Sequence, residues 1–411
     1  MTYKVNKVIE SAYKTFSPSE SERESLQKTA DFVMSELDKR ARKKKINVEL
    51  HLGGSFSRGT WIKGTSDIDV FVVFPAEEGT KLLRKLVPNG YTEEHGTRTY
   101  FVGNEKGVRV EIIPMVKVTN IEKVENSVDF SVLHYNYVNR KMNPRLVMDA
   151  ILMKQFCKSA GCYGSETFIH GFSGYSLELL IINYGGFLSL LEAVSHWKPP
   201  VFIDLEHRYG GLEEAKREVG ANTNPLILVD PVNSKRNVCG SLSVDKFASL
   251  LLHTKQFILN PSMSFFTVGD KKKTIIATSK LRGSKIFRSK TRIIKPVDSF
   301  MSRYTSRLNA LCEDLGRNGI SIYSNNFVLS DGYVEAFIEV SAVPQTDMYM
   351  AMGPKAWIDV EDFNKFAEEH KRLYIAGDTI AYDKTYSFSN PNKFILKKIE
   401  EYITDKALMK S

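Results

Sequence analysis

The chain has 411 residues, 42% hydrophobic and 26% charged, which is ordinary for a soluble globular protein and leaves room for roughly two to four domains. No apolar run approaches the ~18 residues of a membrane span, and MTYKVNKVIESAYKTF at the start lacks a signal peptide's apolar block. The four cysteines fit neither a zinc pattern nor a disulfide scaffold. A cytoplasmic protein without membrane contact is therefore expected, and its net charge of +9 favours a polyanionic partner.

Residues 19–44 carry Ser and Glu at the start and apolar residues at helical spacing (Leu26, Phe32, Val33, Leu37), which predicts a helix. Its basic end, KRARKKK (39–45), suits a helix C-terminus. NVELHL (47–52), DIDVFVVFP (67–75), TYFVG (99–103) and VRVEIIPMVKV (108–118) read as strands. From Pro144 the pattern turns helical: 144–161 closed by Gly161, one long apolar helix over 172–194 with Ser173 as cap, and 243–260 with Ser243 as cap. Residues 271–297 hold ten Lys or Arg and no acid. Their interleaving with Ile, Phe and Thr predicts a folded, strand-like basic surface for nucleic acid. A helix over 298–319, a hairpin over 321–341 turning at Ser330-Asp331-Gly332, and a closing helix over 392–408 complete the pass.

The chemistry concentrates in GGSFSRGTWIKGTSDIDVFV (53–72). Asp67 and Asp69 alternate with Ile68 and Val70, so both carboxylates face one side of a strand, roughly 7 Å apart at Cα. Asp-x-Asp alone fits an edge strand with a solvated acidic face. Three further features change that reading. Gly53, Gly54 and Ser55 stand twelve residues upstream, where backbone amides can approach a triphosphate. The Ser55 hydroxyl and the Arg58 guanidinium can bind its oxygens. Glu111 supplies a third carboxylate from a later apolar strand, and a cluster of three oxygen donors suits a Mg²⁺ pair for phosphoryl chemistry. Trp61 reads as core.

This set resembles the signature of the polymerase-beta-type nucleotidyltransferases. GGSFSRGTWIKGTSDIDVFVVFP is similar in more detail to the archaeal, class I CCA-adding enzymes, which build and repair the CCA 3′ end of tRNA. SVDFSVLH (127–134), KQFCKSAGCYG (154–164), GFSGYSLELLIINYG (171–185) and DPVNSKRNVCGSLS (230–243) continue the match, which spans about residues 45–245. The resemblance implies a mixed α/β multidomain fold. Residues 1–140 would form the catalytic head, 141–256 a helical central domain, and 257–411 an α+β body and RNA-binding tail, the tail at about 289–373. It implies template-independent transfer from CTP and ATP with release of pyrophosphate. Asp67, Asp69 and Glu111 would be catalytic, holding two Mg²⁺. Gly54, Ser55, Arg58, Ser131, His134, Lys154, Tyr163 and Arg236 would bind the nucleotide. The implied partners are the acceptor stem, 3′ end and T-loop of tRNA, and a second copy in a homodimer.

Two departures stand out: the third acid is Glu111 where the family usually has Asp, and Phe130 replaces a residue that is often basic. Glu313-Asp314 with Arg317 fits the template motif of the other CCA-adding class but has no Arg-Arg-x-Asp partner, so it reads as coincidence. Three rivals stay open on the residues alone: a poly(A) polymerase or oligoadenylate synthetase, a non-catalytic RNA-binding relative, and an enzyme that attaches nucleotides to a protein or drug.

Overall fold

A computed structural model describes the chain except residues 1, 96–97, 120–123, 125, 221–222, 342–347, 371, 387 and 410–411. It divides into two compact units, Met1–Val268 and Gly269–Ser411.

In the first unit the head is a sheet backed by one long helix. Helix α2 (Glu20–Lys44) starts at Ser19, whose side chain accepts from the Glu22 amide, and buries Leu26, Ala30, Val33, Leu37 and Ala41. These recur every three or four residues, so one face meets the sheet. The sheet comprises β1 (Glu49–Leu52), β2 (Ile68–Phe74), β3 (Thr92–His95), β4 (Thr99–Glu105) and β5 (Val108–Val116), in the order β1-β2-β5-β4-β3. Strands β2 and β5 are parallel, and the crossover between them carries the short helices α4 (Glu77–Thr80) and α5 (Leu83–Leu86). Ile68, Val70, Val72 and Phe74 join Val110, Ile112 and α2 in one core. Phe71, Val73 and Met115 cluster on the opposite face, the side to which Asp69 and Glu111 belong by alternation.

The rest of this unit is mainly helical: α6 (Ser131–Lys141), α7 (Pro144–Ser159), α8 (Gly174–Tyr184), α9 (Phe187–His196), α10 (Leu212–Val219) and α11 (Val244–Leu259), with a parallel pair β6 (Val201–Ile203) and β7 (Leu226–Leu228). Helix α7 is buried all round from Asp149 to Cys157. Helix α1 (Thr2–Phe16) places Ile9 and Ala12 in this helical core rather than in the head's. The expected head of 1–140 therefore begins after α1. The expected boundary at 256 moves to 268, because Phe257 and Phe266 belong to the same core.

The single long helix expected over 172–194 is two helices bent by 94°. Gly185 (φ 72°) closes α8 in the left-handed conformation and Gly186 (φ 142°) redirects the chain. Among the described residues no single helix is long and apolar enough to cross a membrane.

The second unit opens with the basic stretch, which is helix then strand rather than all strand. Asp270 caps α12 (Lys271–Arg282) by accepting from the Lys273 amide, Gly283 ends it, and β8 (Lys285–Arg292) follows. Helix α13 (Val297–Arg317) leads to the hairpin β9 (Ile322–Ser330) and β10 (Tyr333–Val340), giving a sheet β8-β10-β9. A second sheet, β11 (Met348–Lys355), β12 (Leu373–Ala376) and β13 (Thr379–Thr385), carries α14 (Val360–Glu369). Helices α15 (Pro391–Ile403) and α16 (Asp405–Met409) complete the unit. Asp314 lies 2.9 Å from the Lys398 ammonium and accepts from the Tyr402 hydroxyl, so it ties α13 to α15, while Glu313 is exposed.

Candidate active site

The site begins where a glycine turn is pressed against a carboxylate strand. The Gly53 amide donates to the Asp69 carbonyl at 2.7 Å, and the single-turn helix α3 (Gly54–Arg58) follows. Gly54 has φ +62°, and a Cβ there would lie 1.7 Å from Asp69 Oδ2. A side chain at this position is excluded twice, by backbone conformation and by the carboxylate. Gly54→Ala is expected to displace Asp69 and cut nucleotide addition at least about 100-fold, since small misplacements at a reacting centre cost this much. The initial rate of extension checks it, with circular dichroism as the folding control.

The parallel register places Asp69 directly opposite Glu111. Asp67 precedes the strand and is half exposed. Asp69 keeps some solvent contact yet is ringed by protein, and burial, then the charges of Glu111 and Asp67, push its carboxyl up to about 7. Burial is also the main cause that raises Asp67. Arg109 offsets this repulsion: its Nε donates to Glu111 at 3.0 Å and lies 3.9 Å from Asp67. Among the described residues no three His, Cys, Asp or Glu side chains stand together at metal-ligand spacing as they are arranged. The donor set nevertheless suits a hard cation, being all carboxylate oxygen with uncompensated charge on Asp69. Glu111 would have to turn from Arg109 to join it.

Beside Glu111 lies a cavity of about 340 Å³ lined by Asp69, Phe71, Arg98, Tyr100, Glu111, Ile113, Val128 and Ser131. Arg98 is fixed in it by Glu77 and by Asp129, whose carboxylate also accepts from the Val116 amide. The larger cavity of about 720 Å³ lies behind the glycine turn and includes Arg58 but none of the three acids.

Two further clusters hold the other expected residues. Asp230, fully buried, accepts from His134 Nε2 (2.9 Å), Arg236 Nη1 (2.7 Å), the Val232 amide (3.0 Å) and the Tyr175 hydroxyl (3.3 Å). Burial pushes its carboxyl up, but the His134 bond and charge, the amide and Arg236 outweigh this and hold it at about 2. The His134 ring lies 4.3 Å from Tyr175, and Phe130 is buried behind it.

The second cluster centres on Glu178, which has no exposed surface. Lys154 Nζ donates to Glu178 Oε1 (2.7 Å), Thr60 Oγ1 (2.8 Å) and the Thr60 carbonyl (3.1 Å). Arg58 Nε is 2.7 Å from Glu178 Oε2, though not aligned for a hydrogen bond. Lys154, expected on the triphosphate, is thus enclosed with all its donors used within the protein. Tyr163 stands beside it, since a Cβ on Gly174 would touch both the Tyr163 hydroxyl and Lys154 Cε at 3.3 Å. Trp61 is core, as expected.

The structure therefore brings Gly54, Asp67, Asp69, Glu111 and Ser131 to the sheet face. It joins Arg58, Lys154 and Tyr163 around Glu178, and His134 and Arg236 around Asp230. Sequence reading missed Arg98, Arg109, Tyr175, Glu178 and Asp230. The last two had a usable signal: each is a lone acid in an apolar run, GYSLELLIINY and LILVDP.

Residues 34–137 match the model of the nucleotidyltransferase domain, and 148–267 that of the tRNA nucleotidyltransferase second domain. A CCA-adding enzyme of Nanoarchaeum equitans is 30% identical over 390 residues, covering 91% of this chain and 93% of that one. One from Methanothermobacter thermautotrophicus is 28% identical over 388 residues, covering 90% and 83%. A cytoplasmic RNA terminal U-transferase shares the fold over 65% of this chain and 99% of its own, at a TM-score of 0.51 and 14% identity. With carboxylates, glycine turn and both domain matches in chain order, this chain belongs to the CCA-adding enzymes, a family of nucleotidyltransferases.

Proposed function

We propose that this chain adds cytidine, cytidine and adenosine in turn to the 3′ end of tRNA, without a nucleic-acid template, from CTP and ATP. The observation that carries the reading is Asp69 set opposite Glu111 in register, with Gly54 pressed against its carboxylate. Asp67, Asp69 and Glu111 would hold two Mg²⁺, which supply Lewis-acid activation of the 3′-hydroxyl and charge neutralisation on the triphosphate. Glu111 accepts the proton of the attacking hydroxyl. Ser55, Arg58 and Tyr163 bind the triphosphate, Arg58 being aimed by Glu178. Ser131, His134 and Arg236 form the nucleotide pocket, and the buried Asp230 fixes the last two.

The basic face of the second unit supports tRNA as the partner. Exposed Arg288, Lys290 and Arg292 alternate along β8 with buried Phe287, Ser289 and Thr291, and Lys290 Nζ lies 4.3 Å from the Tyr333 ring centroid. Part of the stretch is spent internally, because Lys272 pairs with Glu335 and Arg282 with Glu339. Arg288 also lies 3.7 Å from Glu335, so Lys290 and Arg292 are the exposed cations of the strand that would grip acceptor-stem and T-loop phosphates without reading sequence. A cytoplasmic homodimer belongs to the same reading.

The test uses a tRNA transcript that ends at its discriminator base, with Mg²⁺, labelled CTP and then ATP, resolved to single nucleotides. Growth by three nucleotides and a stop is the expected result. Long adenosine tails would make the enzyme a poly(A) polymerase, and binding without growth would leave a non-catalytic relative.

A further inference from the structure

We propose that Arg109 is a positioning residue that serves as the site's own counter-cation. In the free protein it tethers Glu111 apart from the other two acids, so the site takes up metal weakly until the nucleotide triphosphate is in place. The inference rests on the nucleotidyl-transfer reading and deepens it by giving the order in which the site assembles.

The sheet register sets four charges in a block. Strands β2 and β5 are parallel, with Ile68 opposite Val110 and Asp69 opposite Glu111. One step back along both chains, Asp67 stands beside Arg109. Alternation puts these four side chains on the face that carries the site. Three corners of the block are carboxylates and the fourth is a guanidinium. Opposite charges on neighbouring strands attract, and like charges repel. Two nitrogens of Arg109, Nε and Nη2, converge on one oxygen of Glu111, Nε at 3.0 Å. Nε also stands 3.9 Å from Asp67 Oδ2. Charge-assisted bonds of this kind are roughly twice as strong as neutral ones. The Arg109 side chain is half exposed, which leaves it room to swing clear once Glu111 lets go.

The length of Glu111 belongs to the same device. Residues two apart on one strand are roughly 7 Å apart at Cα. Glutamate and arginine together bridge that gap, and an aspartate at 111 would fall one methylene short. Arg109 thus opposes a metal ion in two ways. It holds Glu111 in a place where, among the described residues, the three acids do not meet at ligand spacing. It also cancels part of the negative charge that would attract the ion. The triphosphate reverses this balance, because its oxygens add both negative charge and further ligands for the same ion. Glu111 then leaves Arg109 and is available to accept the proton of the 3′-hydroxyl.

The test titrates Mn²⁺, which takes the same oxygen ligands as Mg²⁺, into the metal-free full chain without nucleotide. Electron paramagnetic resonance reads the bound fraction, and circular dichroism confirms the fold of each variant. Arg109→Gln is expected to tighten Mn²⁺ binding about tenfold or more, since a charge-assisted contact no longer competes for Glu111. Glu111→Asp leaves Arg109 in place but shortens the reach, and should shift the affinity in the same direction. Adding Asp69→Asn to Arg109→Gln should abolish the gain, which locates the ion at the acids. With CTP present, wild type should bind Mn²⁺ nearly as tightly as Arg109→Gln. Wild-type affinity in Arg109→Gln would overturn the proposal, as would a gain that survives Asp69→Asn or a gap that CTP leaves unchanged. A wild-type chain that extends no transcript would sink the nucleotidyl-transfer reading instead. The nucleotide-free titration needs no transcript, so the two failures are distinct.

Discussion

Asp69→Asn is expected to abolish nucleotide addition and, in the absence of metal, to make the protein more resistant to heat. Asp69 is pushed up to about 7 by burial first and then by Glu111 and Asp67. In the unfolded chain its carboxyl returns to about 3.8. Between those values the folded state holds a proton that the unfolded state has lost, so stability falls as pH rises through the window. The ceiling on this loss is about 4 kcal/mol, three pH units at 1.36 kcal/mol each. Asparagine keeps the shape, carries no charge and escapes the penalty. The gap in thermal midpoint between variant and wild type should therefore open from about pH 4 to about pH 7 and stay open above. Mg²⁺ should close it by raising wild type alone, since only wild type offers the cation the full set of carboxylates. Activity should fall by more than the ~10–100-fold typical of losing an outer partner of a metal ligand. A midpoint for Asp69→Asn below wild type at pH 8 would mean that the carboxylate is stabilised by contacts other than those described.

The features of the site that lie close together in sequence or follow strand alternation could be read without coordinates. Asp67, Asp69 and Glu111 are such a case: alternation places each carboxylate on a face, and apolar neighbours mark each strand. The glycine turn is another, because only residues without a Cβ fit against Asp69. What sequence alone does not show is an environment whose deciding partner is distant in sequence. Lys154 sits in the stretch that resembles a triphosphate contact, but its environment is set by Glu178, twenty-four residues on, and by Thr60, ninety-four residues back. Asp230 stands before Pro231 in a local turn sequence, yet it gathers His134 from ninety-six residues away. The break between α8 and α9 was visible as Gly-Gly, but the apolar periodicity on both sides outweighed it. In the basic stretch, alternation suggested strand throughout, whereas Asp270 and Gly283 delimit a helix at its start. Local capping there outweighed a pattern that extends over the whole segment.

Glu178→Ala should be the most destabilising single substitution around the site. The carboxylate has no exposed surface and is the anion between Arg58 and Lys154. Burial alone would raise it, but Arg58 and Lys154 more than compensate and hold it below the usual carboxylate range. Removing it leaves two cations in a dry site with only Thr60 for company, at a cost of about 3–5 kcal/mol. For a unit of this size that lowers the thermal midpoint by roughly 6–20 °C. Stability and function should then separate in a second variant. Glu178→Leu with Lys154→Met removes the main buried pair together, and apolar replacement of such pairs is often nearly neutral. Its midpoint should recover much of the loss. Its activity should stay low, because Arg58 has lost the carboxylate that aims it and Thr60 no longer bonds across to α7 and α8. A double variant that regains both stability and wild-type KM for CTP would show that the cluster holds the fold together without positioning the glycine turn. Recovered stability with poor nucleotide binding would establish that the buried charges set the geometry of the phosphate site, and explain why a carboxylate stands in the most apolar helix of the chain.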